Sequence, residues 1–349
     1  MKNKNFFKIS LIYFIAIISI AIIFILGSLG LIRNEFLSSF LIQILVMFTI
    51  PLLLYTLLIG KNFKTTFKNC GFNKFSCKML LISIALGFVL YFINSFIATF
   101  FSGIISSFGY ESLSSSRTVT LNYQFLLKEF ILTAILPGIC EEFLHRGIML
   151  NAAKKHASPR YCLLISSLLF GLMHLNINQF FYATILGFLI GIVALASNSI
   201  YPSIIIHFLN NFLSSYFVYG AKLNWPIAKL VESIENAFSS NIFIFVASSS
   251  LCIILLFGLY LYLIKRLVFE RTRIEMTKVL KDLNVLEIPV EQAQESISQI
   301  NTVLKKSESV KGIISSKGEK PDFKNNIFII SSIILGALVT ICSFIWGIL

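Results

Sequence analysis

The sequence predicts an all-α protein, a polytopic transmembrane helical bundle of about nine spans with its N-terminus in the cytosol. Three observations predict it. Of 349 residues, 56% are hydrophobic and 13% charged, with a mean hydropathy of +0.84, a balance foreign to water-soluble domains. Apolar runs long enough to cross a hydrocarbon core of about 30 Å recur at 9–32, 36–60, 79–105, 124–153, 161–177, 179–198, 200–220, 240–264 and 327–349. The connecting loops alternate in charge: 61–78 carries five Lys and no acid, 154–160 carries three basic residues, and 33–35, 106–123 and 221–239 are sparse or mixed. By the positive-inside rule the basic loops are cytosolic and the C-terminus lies outside. The same distribution makes the membrane, and not nucleic acid, the partner of a net charge of +13.

The first run follows Lys2, Lys4 and Lys8, like the start of a signal peptide. It is too long for one and lacks a small-residue cleavage site before Arg33, so it reads as a retained anchor. Residues 1–123 form the N-terminal spans and 124–220 a core whose spans are interrupted by polar residues. Within that core, Gly187 and Gly191 stand at GxxxG spacing, which lets a neighbouring helix approach closely. Residues 221–264 supply the eighth span and the loop before it. Composition then changes at Lys265: up to Lys324 there are 12 basic and 9 acidic residues. Residues 265–326 therefore read as a charged cytosolic insertion with helix candidates at 270–286 and from about 291 onward, split by Pro289. A solvated linker is the simpler reading, and docking of a protein partner the alternative. Residues 327–349 form the last span. The six Cys fit no zinc-binding spacing and read as reduced, small apolar side chains.

Strongly polar groups inside the membrane are costly and mark function. The stretch "GICEEFLHRG" (138–147) holds Glu141, Glu142, His145 and Arg146, span five holds His174, and span seven holds His207 and Asn211. Glu142 and Arg146, four residues apart, can neutralise each other. At about 1.5 Å per helical residue, Glu141 and His174 each lie roughly 20 Å from the basic end of their span and His207 about 10 Å. Matching depths predict a shared pocket, expected to open toward the cytosol, and Pro137 with Gly138 should kink the span there. His145 is expected to be a hydrogen-bonding neighbour and His156 a solvated loop residue.

A buried carboxylate beside imidazoles in a wet cavity suits hydrolysis of a peptide bond. Glu141 would act as general base on water, His174 would share or orient that water, and His207 and Asn211 would donate to the oxyanion. Glu142, held by Arg146, would shape the wall. The residues equally compose a zinc set, Glu141, His174 and His207 with water in the fourth position. Two other classes remain open: a proton- or ion-coupled transporter, and a catalytically silent immunity or scaffold protein.

"EEFLHR" (141–146) fits EExxxR, "FGLMH" (Phe170 to His174) fits FxxxH, and "HFLNN" (His207 to Asn211) fits HxxxN, in that order on successive segments. In this the chain resembles the CAAX protease and bacteriocin-processing family of intramembrane endopeptidases, over about residues 124–220. The resemblance implies Glu141 and His174 as the water-activating pair, His207 and Asn211 as transition-state stabilisers, and Glu142, Arg146 and Phe170 as supporting residues. It leaves open a metalloprotease or a metal-free glutamate mechanism, and it does not transfer a prenylated substrate. A multi-pass protein of a bacterial plasma membrane acting on a peptide or membrane-protein substrate is the resulting expectation.

Overall fold

The computed structural model describes residues 2–111, 121–239, 242–285 and 326–348, and every regular element among them is helical. In chain order these are α1 (Lys2–Ser28), α2 (Phe36–Gly60), α3 (Phe63–Asn69), α4 (Cys77–Ser107), α5 (Tyr123–Lys155), α6 (Pro159–Leu172), α7 (Ile177–Ser197), α8 (Tyr201–Lys222), α9 (Pro226–Ser239), α10 (Ile242–Val285) and α11 (Ile327–Ile348). Seven of them, α1, α2, α4, α5, α7, α10 and α11, are long and apolar enough to cross a membrane. The chain is a multi-pass membrane protein. The two remaining expected spans are α6 and α8, the segments that carry the FxxxH and HxxxN motifs.

The helix starts follow from side-chain capping. Asn34, Ser76, Asn122 and Asn176 each accept a hydrogen bond from a backbone N–H of the first turn, at α2, α4, α5 and α7, satisfying a donor that no helical carbonyl can reach. Pro159 and Pro202 sit in the first turns of α6 and α8, where the missing N–H costs nothing. At the other end of α7, Asn198 turns the chain out of the helix at φ 51°.

Two apolar cores hold the bundle. One joins α1, α2, α5, α6 and α11 around Tyr13, Phe143, Leu144 and Met149; the other joins α4, α7 and α10 around Leu86, Leu90, Ile190 and Tyr260. Gly187 and Gly191 do the close packing their spacing predicts: a Cβ on Gly187 would come within 3.0 Å of Phe170, and one on Gly191 would collide with Leu163, both on α6.

Both ends of the bundle are tied, and their charges differ. At one end Ile200 N–H donates to Gly71 O (2.9 Å), Asn73 to Asn198 O (2.6 Å), Lys154 to Asn151 (2.7 Å), and Arg271 to Leu195 O (3.3 Å). Lys155 donates to Asn69 at this same end, so the lysine-rich 61–78 and 154–160 segments meet in space. At the other end Ile177 N–H donates to Ser343 (2.9 Å), Glu111 N–H to Gly347 O (2.9 Å) and Tyr219 to Glu129 (3.0 Å). Cys70, at the lysine-rich end, is buried, and burial pushes its thiol up to about 12 against the pull of nearby Lys155. All six cysteines are free.

Three details depart from the sequence reading. Span five was expected over 161–177, but α6 stops at Leu172 after 14 residues, about 21 Å against the roughly 30 Å of a hydrocarbon core. His174 thus sits in the turn after α6, where Leu175 has φ 52°. Pro137 and Gly138 were expected to kink α5; the helix runs through them without a break, and it departs from regular α-helix on either side, with π-helical segments at Ile131–Ile135 and Phe143–Ala152 flanking the α-helical Leu136–Glu142. The wider turn before Pro137 relieves the register in which proline would clash. Finally, the change in composition at Lys265 does not end a helix: α10 runs 44 residues from Ile242 to Val285, so the 270–286 candidate is its last part. The candidate from about 291 lies outside the described residues.

Candidate active site

Helix α5 presents Glu141 and Glu142 in opposite settings. Glu142 and Arg146 are fully buried and joined at 2.6 Å, as their i, i+4 spacing predicts. Arg146 also donates to Gly187 O (3.0 Å), and its guanidinium lies 4.5 Å from the centroid of the Phe170 ring. A desolvated cation thereby has an anion, a carbonyl and an aromatic face around it. Glu142 Oε1 in turn accepts from His207 Nδ1 at 2.9 Å. Gly138 allows this meeting, since a Cβ there would stand 3.2 Å from the Phe208 backbone beside His207.

Glu141, by contrast, keeps 12% of its side chain accessible. Its Oε1 accepts a 2.7 Å hydrogen bond from Gln43 Nε2 on α2, and its Oε2 lies 3.9 Å from His207 Nε2. Because a carboxylate can only accept, the His207 Nδ1 carries the proton, and Nε2 is the atom left to face Glu141. The same logic fixes His174. Its Nδ1 donates to Phe170 O at 2.8 Å, so the Nε2 lone pair is free. Asn211 donates one N–H to Thr133 O (2.8 Å) and accepts from Asn210 (3.0 Å), which leaves one amide N–H uncommitted.

These groups line two chambers. A polar one of about 470 Å³ has Glu141, His174, His207 and Asn211 in its wall, with Asn94, Ser95, Thr99, Thr133, Ser214 and Ser215 around them. A second, of about 770 Å³, is lined mainly by apolar residues of α1 and α2, among them Ile20, Phe24, Ile42 and Met47, and again by Glu141 and His174. Glu141, Phe170, His174 and Gln179 belong to both and form the partition. Five of the site residues singled out in the sequence, Glu141, Phe170, His174, His207 and Asn211, thus share one cavity, while Glu142 and Arg146 stand behind it. Phe170 is the hub: its ring meets His145, His174 and His207 edge-on at centroid distances of 4.9, 5.2 and 5.6 Å.

The direction of opening differs from expectation. Both chambers extend from Glu141 toward the end of the bundle that lacks the lysine-rich loops, past Thr133 on α5, Thr99 on α4, Ser215 on α8, and Gly30 and Arg33 after α1. Toward the lysine-rich end, every residue from Phe143 to Ala152 is buried. Depth counted from one end of a span locates a residue but says nothing about which side its neighbours fill. The short α6 leaves room on the side where the chambers lie.

Gln43 was missed in the sequence, although a lone amide within an otherwise apolar run was the available signal. Its Oε1 is buried without a partner. His145 is a hydrogen-bonding neighbour as expected: Nδ1 meets Glu141 O at 2.8 Å and Nε2 meets the Tyr13 hydroxyl at 3.0 Å. For a metal the arrangement does not fit. Among the described residues no three His, Cys, Asp or Glu side chains gather closely enough to hold an ion, so Glu141, His174 and His207 as folded are not a ligand set.

Residues 123–213 match the family model described as Type II CAAX prenyl endopeptidase Rce1-like. The motif-bearing segment is similar to that family. The match covers α5 through the middle of α8, the helices that carry all three motifs, and leaves Gln43 on α2 outside it. No curated protein and no solved structure gives a match to the chain. The Rce1-like segment supplies Glu141, His174, His207 and Asn211, and the helices outside it supply Gln43 and part of the walls of both chambers.

Proposed function

We propose that the protein is an intramembrane endopeptidase that hydrolyses a peptide bond of a membrane protein or membrane-associated peptide. The observation that carries this reading is Glu141 itself. It is an accessible carboxylate held by Gln43, facing His207, in a chamber that also contains His174 and Asn211. Water placed between Glu141 and the His174 Nε2 loses a proton to Glu141 as its oxygen attacks the scissile carbonyl carbon. The carbonyl oxygen becomes an oxyanion, for which the uncommitted Asn211 N–H and the His207 Nε2, in its protonated form, are the donors. Collapse breaks the C–N bond, and Glu141 returns its proton to the leaving amine. Glu142 serves by fixing the His207 ring, and Arg146 holds Glu142 in place. The cellular setting that suits this reading is a bacterial plasma membrane.

The test is cleavage of a panel of membrane-inserted peptides by the purified, reconstituted protein, with Glu141→Gln and His174→Ala alongside. Wild-type cleavage that both variants abolish is expected. Cleavage undiminished in both would end this mechanism.

A further inference from the structure

The location of the chambers restricts what can reach Glu141. The lysine-rich segments on either side of α3 and between α5 and α6 meet at one end of the bundle, where Lys155 donates to Asn69. Segments with this excess of Lys stay in the cytosol. Between that end and the site, every α5 residue from Phe143 to Ala152 is buried, and of these His145 alone borders a chamber. On the opposite side the polar chamber runs along hydroxyl and amide side chains, Asn94, Ser95, Thr99, Ser214 and Ser215. Glu141 is the one carboxylate among its lining residues, and none of them is Lys or Arg.

We infer that this site takes its substrate from the extracytosolic face of the membrane: an extended, uncharged polar stretch of peptide lying outside or in the outer leaflet. A soluble or lipid-anchored cytosolic C-terminus would be excluded. The chemistry supports the class as well as the side. An extended strand exposes backbone N–H and C=O groups that need partners in a low-dielectric cavity, and the amides and hydroxyls along the wall provide them. A charged side chain finds no counter-ion there apart from Glu141.

This inference rests on the endopeptidase reading, and two measurements separate the two. First, Thr99→Cys in the chamber and Lys64→Cys at the lysine-rich end are treated with a membrane-impermeant maleimide in intact cells, scored above the labelling of the unsubstituted protein. Thr99→Cys should label at once and Lys64→Cys only after the membrane is opened; the reverse pattern overturns the inference whatever the enzyme does. Second, one cleavable polar segment is fused to a single-span reporter in both orientations and co-expressed with wild type or Glu141→Gln. Cleavage only of the outward-facing segment, lost in Glu141→Gln, is expected. Cleavage only of the inward-facing segment overturns the sidedness and spares the endopeptidase reading. With Thr99→Cys labelled from outside, cleavage of neither segment ends that reading and this substrate class with it.

Discussion

The two halves of α5 are built from the same apolar stock and behave oppositely. From Thr133 to Glu141 the helix lines a chamber; from Phe143 to Ala152 every residue is buried. The boundary falls between two adjacent carboxylates. Glu141 is partly accessible and held by one amide, while Glu142 is sealed in with Arg146 and His207. The difference teaches that neighbouring acids can divide a site between them: one faces a cavity, and the other is bound into its wall. A helix can switch from one role to the other within a single residue, because consecutive side chains point about 100° apart.

The sharpest way to break that division is to neutralise each acid in turn. Glu141→Gln should lower the rate of peptide cleavage by about 10³-fold, as loss of a general base does, with the melting temperature in detergent unchanged. A large loss of thermal stability would mean that Glu141 belongs with Glu142 as a structural residue. Glu142→Ala leaves a buried guanidinium unpaired and should destabilise the fold by about 3–5 kcal/mol; denaturation of the purified protein reads it directly, and Arg146→Met alongside shows how much of that is the orphaned charge. Asn211→Ala removes the amide donor from the chamber and should cost about 10²-fold in kcat with KM little changed, separable by initial-rate kinetics. The smallest effect belongs to Gln43→Leu. Loss of a charge-assisted hydrogen bond of about 1.5 kcal/mol predicts about a tenfold fall in kcat at unaltered KM, whereas a rise in KM alone would make Gln43 part of the substrate wall.

Much of the fold was legible because the membrane simplifies the code. Nine apolar runs became nine bundle helices, α3 and α9 being extra elements in loops. The EExxxR, FxxxH and HxxxN residues could be read because each puts a polar group where hydrocarbon forbids an unpaired one. Glu142 with Arg146 needed only helical spacing. What could not be read depends on neighbours distant in sequence. The Gln43 to Glu141 bond joins residues 98 apart. The filling of the lysine-rich side depends on α1, α2 and α6 packing against Phe143, Leu144 and Met149, and no periodicity within α5 encodes it. The π-helical turns on either side of Leu136–Glu142 shift register without any change of residue type that would announce them. The length of α10 was hidden for another reason: charge marks where a helix leaves the membrane, and helices do not end there for that reason alone.

Phe170 carries a consequence for how variants of this protein are interpreted. Its carbonyl selects the tautomer of His174, its ring face carries the Arg146 guanidinium, and its ring edges abut three imidazoles. Substitution there keeps the backbone carbonyl but alters a cation's solvation and the orientation of three rings at once. Its effect will therefore not equal the sum of any set of single changes at Arg146, His174 and His207. A double-mutant cycle that includes Phe170 measures the coupling of the whole cluster, and the deviation from additivity is the quantity to report.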